Sequence, residues 1–197
     1  IWRGGIGSVL SEKTSKSEVS NRQQLVSRSL DSAGHYLDAR FVLSDNELEL
    51  YQKHIGQMAP EMFIAEPKGE AEESDHLRNM LSFKYLIATE DDYRINSDLK
   101  WMLLSQSVTL MPRDFRFSSW FMEDMLEPYV HFVPIEADYS DVGRQIMWCE
   151  NHKSEVKRIS ERATLYVHDL LFHQNSQKEN TEVQLQMMER YGDQLGV

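Results

Sequence analysis

Glycine, arginine and serine crowd the first eight residues. Gly4-Gly5-Ile6-Gly7-Ser8 follows directly on Ile1-Trp2-Arg3, which reads as the tail of a strand. Glycines let a backbone take positive φ and bring its amide donors close to a ligand, and Arg3 and Ser8 add side-chain donors. Such a turn suits a phosphate or diphosphate. It lacks the Lys-Ser/Thr pair of a Walker loop, and a solvent-exposed turn accounts for the glycines as well. Arg22 falls in the first turn of a helix expected from Ser20 to Leu30, where the dipole favours carboxylates over cations. It is either solvated or partnered by an anion at the same helix end. A second polar turn, Thr89 to Asp98, presents Asn96 and Ser97 just ahead of a helix that carries Lys100. Three donor-rich turns of this kind suit an anionic leaving group held without a metal.

The other candidates each carry an ordinary alternative. Asp91-Asp92, at the end of a strand, could hold Mg²⁺ or act as a general base, or simply be solvated. Trp120 and Glu123, at i, i+3 on one expected helix face, could stack on a base or sugar and hydrogen-bond a ribose, or divide into core and surface. The seven histidines include no i, i+4 pair with a nearby acid, and His131 reads as a core or rim residue. No zinc set or Ser-His-Asp arrangement can be assembled, so no metal is expected. Met187 and Met188 read as packing residues.

The elements that must position these residues centre on Ser82 to Met111. A buried strand (Phe83 to Ala88), a polar turn, a helix (Leu99 to Ser105) and a second buried strand (Ser107 to Met111) make a β-loop-α-β unit. Parallel strands need such a crossover, and ligands of open α/β sheets bind beyond the carboxyl ends of the strands. Thr89 to Lys100 should therefore wall any site. Upstream, the strand Leu37 to Val42 is followed by an amphipathic helix from Ser44 to Ile55 carrying Leu48, Tyr51 and Ile55. The acidic run Glu70 to Asp75 opens a helix ending near Ser82. Downstream, a helix is expected over Trp120 to Leu126 and a strand over Val130 to Val133. Apolar stripes at helical spacing then follow: Val142, Ile146 and Cys149; Val156, Ile159, Ala163, Tyr166 and Leu170; and, in a helix from Thr181 to Gln194, Val183, Met187 and Tyr191.

A chain of 197 residues with 41% hydrophobic content supports one domain with a substantial core. The net charge of -11 disfavours general nucleic-acid binding. The lone Cys149 reads as a small core residue, and no apolar run reaches the roughly 20 residues of a membrane span. Ile1-Trp2 resembles the middle of a strand, so the chain is expected to be a piece of a longer protein.

Several fragments in this order resemble glycosyltransferase family 90: Trp2-Arg3-Gly4, Arg22-x-x-Leu25, Phe83-Lys84-Tyr85-Leu86-Ile87, Leu99-Lys100-Trp101, Ser105-Gln106-Ser107-Val108, Ser119-Trp120, and Leu126-x-Pro128-x-x-His131-Phe132-Val133-Pro134. The resemblance runs from Ile1 to about Leu171. It implies a Rossmann-like parallel sheet flanked by helices, similar to the C-terminal donor-binding domain of a GT-B glycosyltransferase. Residues 1–175 would form that domain and 176–197 a C-terminal helix, with an N-terminal acceptor domain absent from this chain. The implied activity is inverting, metal-independent transfer of glucose or xylose from a UDP-sugar to a glycan, lipopolysaccharide or protein acceptor. The catalytic base would lie in the missing half, and no cofactor is implied beyond the UDP-sugar co-substrate. In the resemblance Arg3 with Gly4, Arg22 and the turn ending in Asn96-Ser97 would contact the nucleotide and diphosphate; the residues themselves add Gly5, Ser8 and Lys100 as expected diphosphate or nucleotide contacts, and Asp92, Trp120 and Glu123 as expected nucleoside or sugar contacts. The family resemblance also implies a secretory-pathway or bacterial cytoplasmic setting, with membrane contact only through a missing upstream segment. Asp92 and Asp98 depart from the pattern, Asp92 standing where many members have Gly and Asp98 where the glucosyltransferases have Arg. They motivate the alternative of a non-catalytic Rossmann-like scaffold with a degenerate donor site.

Overall fold

The computed structural model describes residues 1–6, 20–31, 36–54, 57–90, 98–113 and 118–196. Strands β1 (Trp2–Gly4), β2 (Ala39–Leu43) and β3 (Phe63–Ala65) form one parallel sheet in that order. A second parallel sheet contains β4 (Tyr85–Ile87), β5 (Val108–Pro112) and β6 (Val133–Ile135). Ile1 joins the two. Its backbone nitrogen donates to the Tyr85 carbonyl at 2.9 Å, and its carbonyl accepts from the Ile87 amide at 3.0 Å. The strands therefore run β3-β2-β1-β4-β5-β6, and the direction of winding reverses between β1 and β4. This is the doubly wound order, and the crevice at its reversal point is where such sheets bind ligands.

Parallel strands are covered on both faces, so both faces must be apolar. Ile87, Leu110 and Val133 enter one core with Trp2 and Phe41, while Leu86, Ala88, Met111 and Phe132 enter the other. Helices α1 (Asn21–Asp31), α2 (Asp45–His54) and α5 (Val142–Asn151) supply Leu25, Val26, Tyr51, Val142 and Cys149 to the first. Helices α3 (Glu70–Leu81), α4 (Leu99–Leu104) and α6 (Lys153–Leu171) supply Met80, Leu99, Met102, Ala163 and Val167 to the second. The last helix, α7 (Ser176–Leu195), packs on α6. No helix among the described residues is long and apolar enough to cross a membrane.

Local chemistry sets the helix starts. The Ser20 hydroxyl accepts the Gln23 amide at 3.2 Å and caps α1. Ser44 and Glu47 make a capping box at α2: the Ser44 amide and hydroxyl both donate to the Glu47 carboxylate, at 2.9 and 2.7 Å.

Four expectations are corrected. Helical spacing puts Leu30 on the buried side of α1 with Leu25 and Val26, but it is 41% exposed, and the buried position near the end of α1 belongs to Ser29, whose hydroxyl donates to the Leu37 carbonyl and accepts the Ala39 amide. Trp120 to Leu126 is not a continuous helix. Met122 takes a left-handed conformation (φ 54°), which leaves only a 3₁₀ turn over Glu123–Met125. The strand expected over Val130 to Val133 lies at Val133–Ile135 and includes Pro134; β6 is an edge strand, where a missing amide is tolerated. Met187, Met188, Val183 and Tyr191 project from α7 rather than pack, each more than half exposed.

Thr109, in β5, is buried, and among the described residues its hydroxyl has no hydrogen-bond partner. A buried unpaired hydroxyl costs about 1–3 kcal/mol. Thr109→Val keeps the branched shape and removes that cost, so it should raise unfolding stability by about 1 kcal/mol in urea denaturation. A loss of stability would contradict this assignment.

Candidate functional site

The carboxyl ends of β1 and β4 lie side by side at the winding reversal. From β1 the wall is Gly4, Gly5 and the buried Ile6. Gly4 is required by its neighbour, because a Cβ there would meet the Trp2 indole at 2.6 Å. The amino end of α1 faces this turn, and the Arg22 guanidinium donates to the Gly5 carbonyl at 2.8 Å. The first turn of α1 contains no acidic residue, whereas α2 begins with Asp45 and Glu47 and α3 with Glu70, Glu72 and Glu73. The positive end of the α1 dipole therefore has no carboxylate of its own in that turn.

The β4 side begins with Thr89, whose buried hydroxyl hydrogen-bonds Tyr139, and continues to the half-buried Glu90. Tyr139 has a φ of 59°, a left-handed conformation at a non-glycine residue. Asp98 is the N-cap residue of α4 and Lys100 lies in the first turn. The Lys100 ammonium sits 4.4 Å above the centre of the Trp120 ring. His76 of α3 lies within the fields of Arg3 and Asp98. Burial, then the Arg3 charge, lowers its pKa from the ordinary histidine value, and Asp98 pulls the other way.

The structure thus joins Arg22 to Gly5 and Lys100 to Trp120. It directs Arg3 elsewhere. The Arg3 guanidinium turns toward the amino end of β2, where it donates to both carboxylate oxygens of Asp38 at 3.1 and 2.6 Å and to the carbonyls of Trp2 and Asp38. Burial alone would raise the Asp38 carboxyl; the Arg3 hydrogen bonds and charge, with Arg40, outweigh it and hold the group below its ordinary value. Glu123 is 3% exposed, and its carboxylate accepts the Ser119 amide at 2.8 Å and hydroxyl at 2.7 Å. It is a clamp within its own loop. Ser8, Asp92, Asn96 and Ser97 lie outside the described residues. Thr89 and Glu90 open the Thr89 to Lys100 turn that was expected to wall a site, whereas His76 and Tyr139 are neighbours that the sequence did not single out.

A groove of about 940 Å³ lies at the opposite edge of the sheet, between α6 and the amino ends of β4 and β5. Its lysines are paired, Lys84 with Glu150 at 2.6 Å and Lys157 with Glu161 at 3.6 Å. Among the described residues no three His, Cys, Asp or Glu side chains meet closely enough to hold a metal.

A doubly wound parallel sheet covered by helices on both faces defines the class of Rossmann-like α/β folds. Within that class the chain belongs to glycosyl transferase family 90, whose sequence pattern matches residues 13–195. It is 30% identical over 87 residues to an O-glucosyltransferase LpsA of Dichelobacter nodosus, covering 44% of this chain and 27% of that protein. It is 31% identical over 75 residues to protein O-glucosyltransferase 2 of Danio rerio, covering 34% of this chain and 15% of that protein. It is also 28% identical over 86 residues to protein O-glucosyltransferase 3 of Homo sapiens, covering 40% of this chain and 17% of that protein. The matched stretches thus span well under a third of these relatives.

Two substitutions test the geometry. Gly4→Ala must displace an indole that is 1% exposed, and should lower stability by about 1–3 kcal/mol in denaturant titration; an unchanged midpoint would contradict the close approach. Asp38, with its pKa lowered on folding, stabilises the fold above the ordinary carboxylate range, and that contribution is lost as pH falls through the folded pKa. Asp38→Asn should cost about 1 kcal/mol at pH 7, a figure reduced by solvent screening of a third-exposed carboxylate, and should flatten the stability loss below about pH 4. An unaltered acid limb would show that the ion pair is not formed in solution.

Proposed function

We propose that this chain is the donor-binding half of a GT-B glycosyltransferase that transfers a sugar from a UDP-sugar, without a metal and with inversion. The observation that carries the reading is the turn at Gly4-Gly5, held by Arg22 against the amino end of α1, at the reversal point of the sheet. Backbone amides, a helix amino end without an acid in its first turn and an arginine together favour a diphosphate.

In the proposed reaction an acceptor hydroxyl attacks the anomeric carbon while the bond to the UDP β-phosphate oxygen breaks. Negative charge develops on the departing diphosphate, and Arg22 and Lys100, in the first turns of α1 and α4, would stabilise it. Ser8, Asn96 and Ser97, on the same two turns in sequence, remain expected contacts. Arg3 serves this site indirectly, by fixing β1 against β2 through Asp38. The acidic base that removes the acceptor proton would come from the acceptor-binding half. The names of the relatives, O-glucosyltransferase and protein O-glucosyltransferase, favour glucose over xylose as the transferred sugar; the acceptor proposed is a glycan, lipopolysaccharide or protein.

Calorimetry of the full-length protein with UDP and UDP-glucose tests this directly. Binding should persist in EDTA, and Arg22→Ala should weaken it by about 1.5–3 kcal/mol, the worth of a charge-assisted contact. Absence of binding, or affinity indifferent to Arg22→Ala, would overturn the reading and favour a Rossmann-like scaffold with a degenerate site.

A further inference from the structure

Resting on the donor-site reading above, we infer that Trp120 is a stacking platform for the pyranose ring of a sugar substrate. Trp120 is 55% exposed, yet the loop that carries it is among the most heavily tethered on the surface. Ser118 donates to Asp124 at 2.6 Å, Ser119 donates twice to the buried Glu123, and the Met122 amide donates to the Ser119 carbonyl at 3.0 Å. Phe121, directly after the tryptophan, is buried edge-on against Tyr166, and the Tyr166 hydroxyl donates to the carbonyls of Phe121 and Met122, both at 2.8 Å. Burial, with the charges of Glu123 and Asp124, pushes the Tyr166 hydroxyl up to about 12, so it remains a donor throughout the physiological range.

A loop fixed in this way holds the indole in one orientation before any ligand arrives. That lowers the entropy a ligand must lose on binding. Met122 and Met125 of the same loop are also exposed. Lys100, from the turn beyond β4, rests on the ring as a cation–π partner and links it to the cleft at the winding reversal. The axial C–H bonds of a pyranose form an apolar, weakly positive face that matches the negative face of an indole, while its hydroxyls stay in water at the rim. A phosphate attached to that ring has the Lys100 ammonium within reach of the same platform. The ring is either the sugar of the donor or that of a glycan acceptor, and both share this chemistry.

The test uses full-length protein with Trp120→Ala and Trp120→Phe, checked for native unfolding midpoints, and titrated with UDP, UDP-glucose and acceptor. UDP should bind both variants as it binds the wild type. Trp120→Ala should weaken either UDP-glucose binding or acceptor KM about tenfold, the first assigning the platform to the donor sugar and the second to the acceptor, with Trp120→Phe recovering most of the loss. Unchanged UDP-glucose affinity together with unchanged acceptor KM would overturn the inference. Equal losses for UDP and UDP-glucose would overturn it too, placing the indole on the nucleoside. Wild-type protein that binds no UDP would instead remove the donor-site reading beneath it.

Discussion

The arrangement depends on the seam at Ile1. Two backbone hydrogen bonds weld a sheet wound one way to a sheet wound the other, and the crevice at the reversal exists because β1 and β4 are adjacent. Trp2 sets the packing beside that seam. Its indole is buried edge-on to Phe41 and presses on the Cα of Gly4, so the residue that anchors the core also dictates a glycine at the start of the turn. Core packing and the exposed amides of the cleft are in this sense one constraint. A side chain at position 4 would disturb both.

Much of the fold was legible because burial on both faces of a parallel sheet leaves a strong local signature. The unit around β4, α4 and β5 was visible as apolar runs with a polar turn between them, and α5 and α6 as stripes at three and four residues. The cap at Ser20 and the box at Ser44 are likewise short-range chemistry. What failed to show depended on partners distant in sequence. Arg3 reads as a loop donor until Asp38, thirty-five positions on, takes both ends of its guanidinium. The segment from Ser119 reads as a capped helix, and Tyr166, more than forty residues later, holds the carbonyls of a loop in which Met122 turns left-handed.

The charges divide by role. Arg3 and Asp38 form a structural pair between β1 and the start of β2, and Lys84 with Glu150 forms an exposed pair between the amino end of β4 and α5. Arg22 and Lys100 lie at the carboxyl end, where Arg22 donates to the Gly5 carbonyl and Lys100 sits over the Trp120 ring. A chain with a net charge of -11 can still attract an anion there, since exposed charges beyond about 10 Å are screened while contact donors are not. Asp98, at the amino cap of α4, raises the His76 pKa against the lowering effects of burial and of Arg3.

The central claim is that ligand binds at the reversal point and not in the groove at the amino edge. Hydrogen–deuterium exchange of the full-length protein with and without UDP separates the two. The account predicts slowed exchange at Gly4 to Ile6, at the first turn of α1 and at Ala88 to Glu90. Protection centred instead on Lys84, Gln106 and the Lys153 to Lys157 turn of α6, or no protection anywhere in the chain, would contradict it.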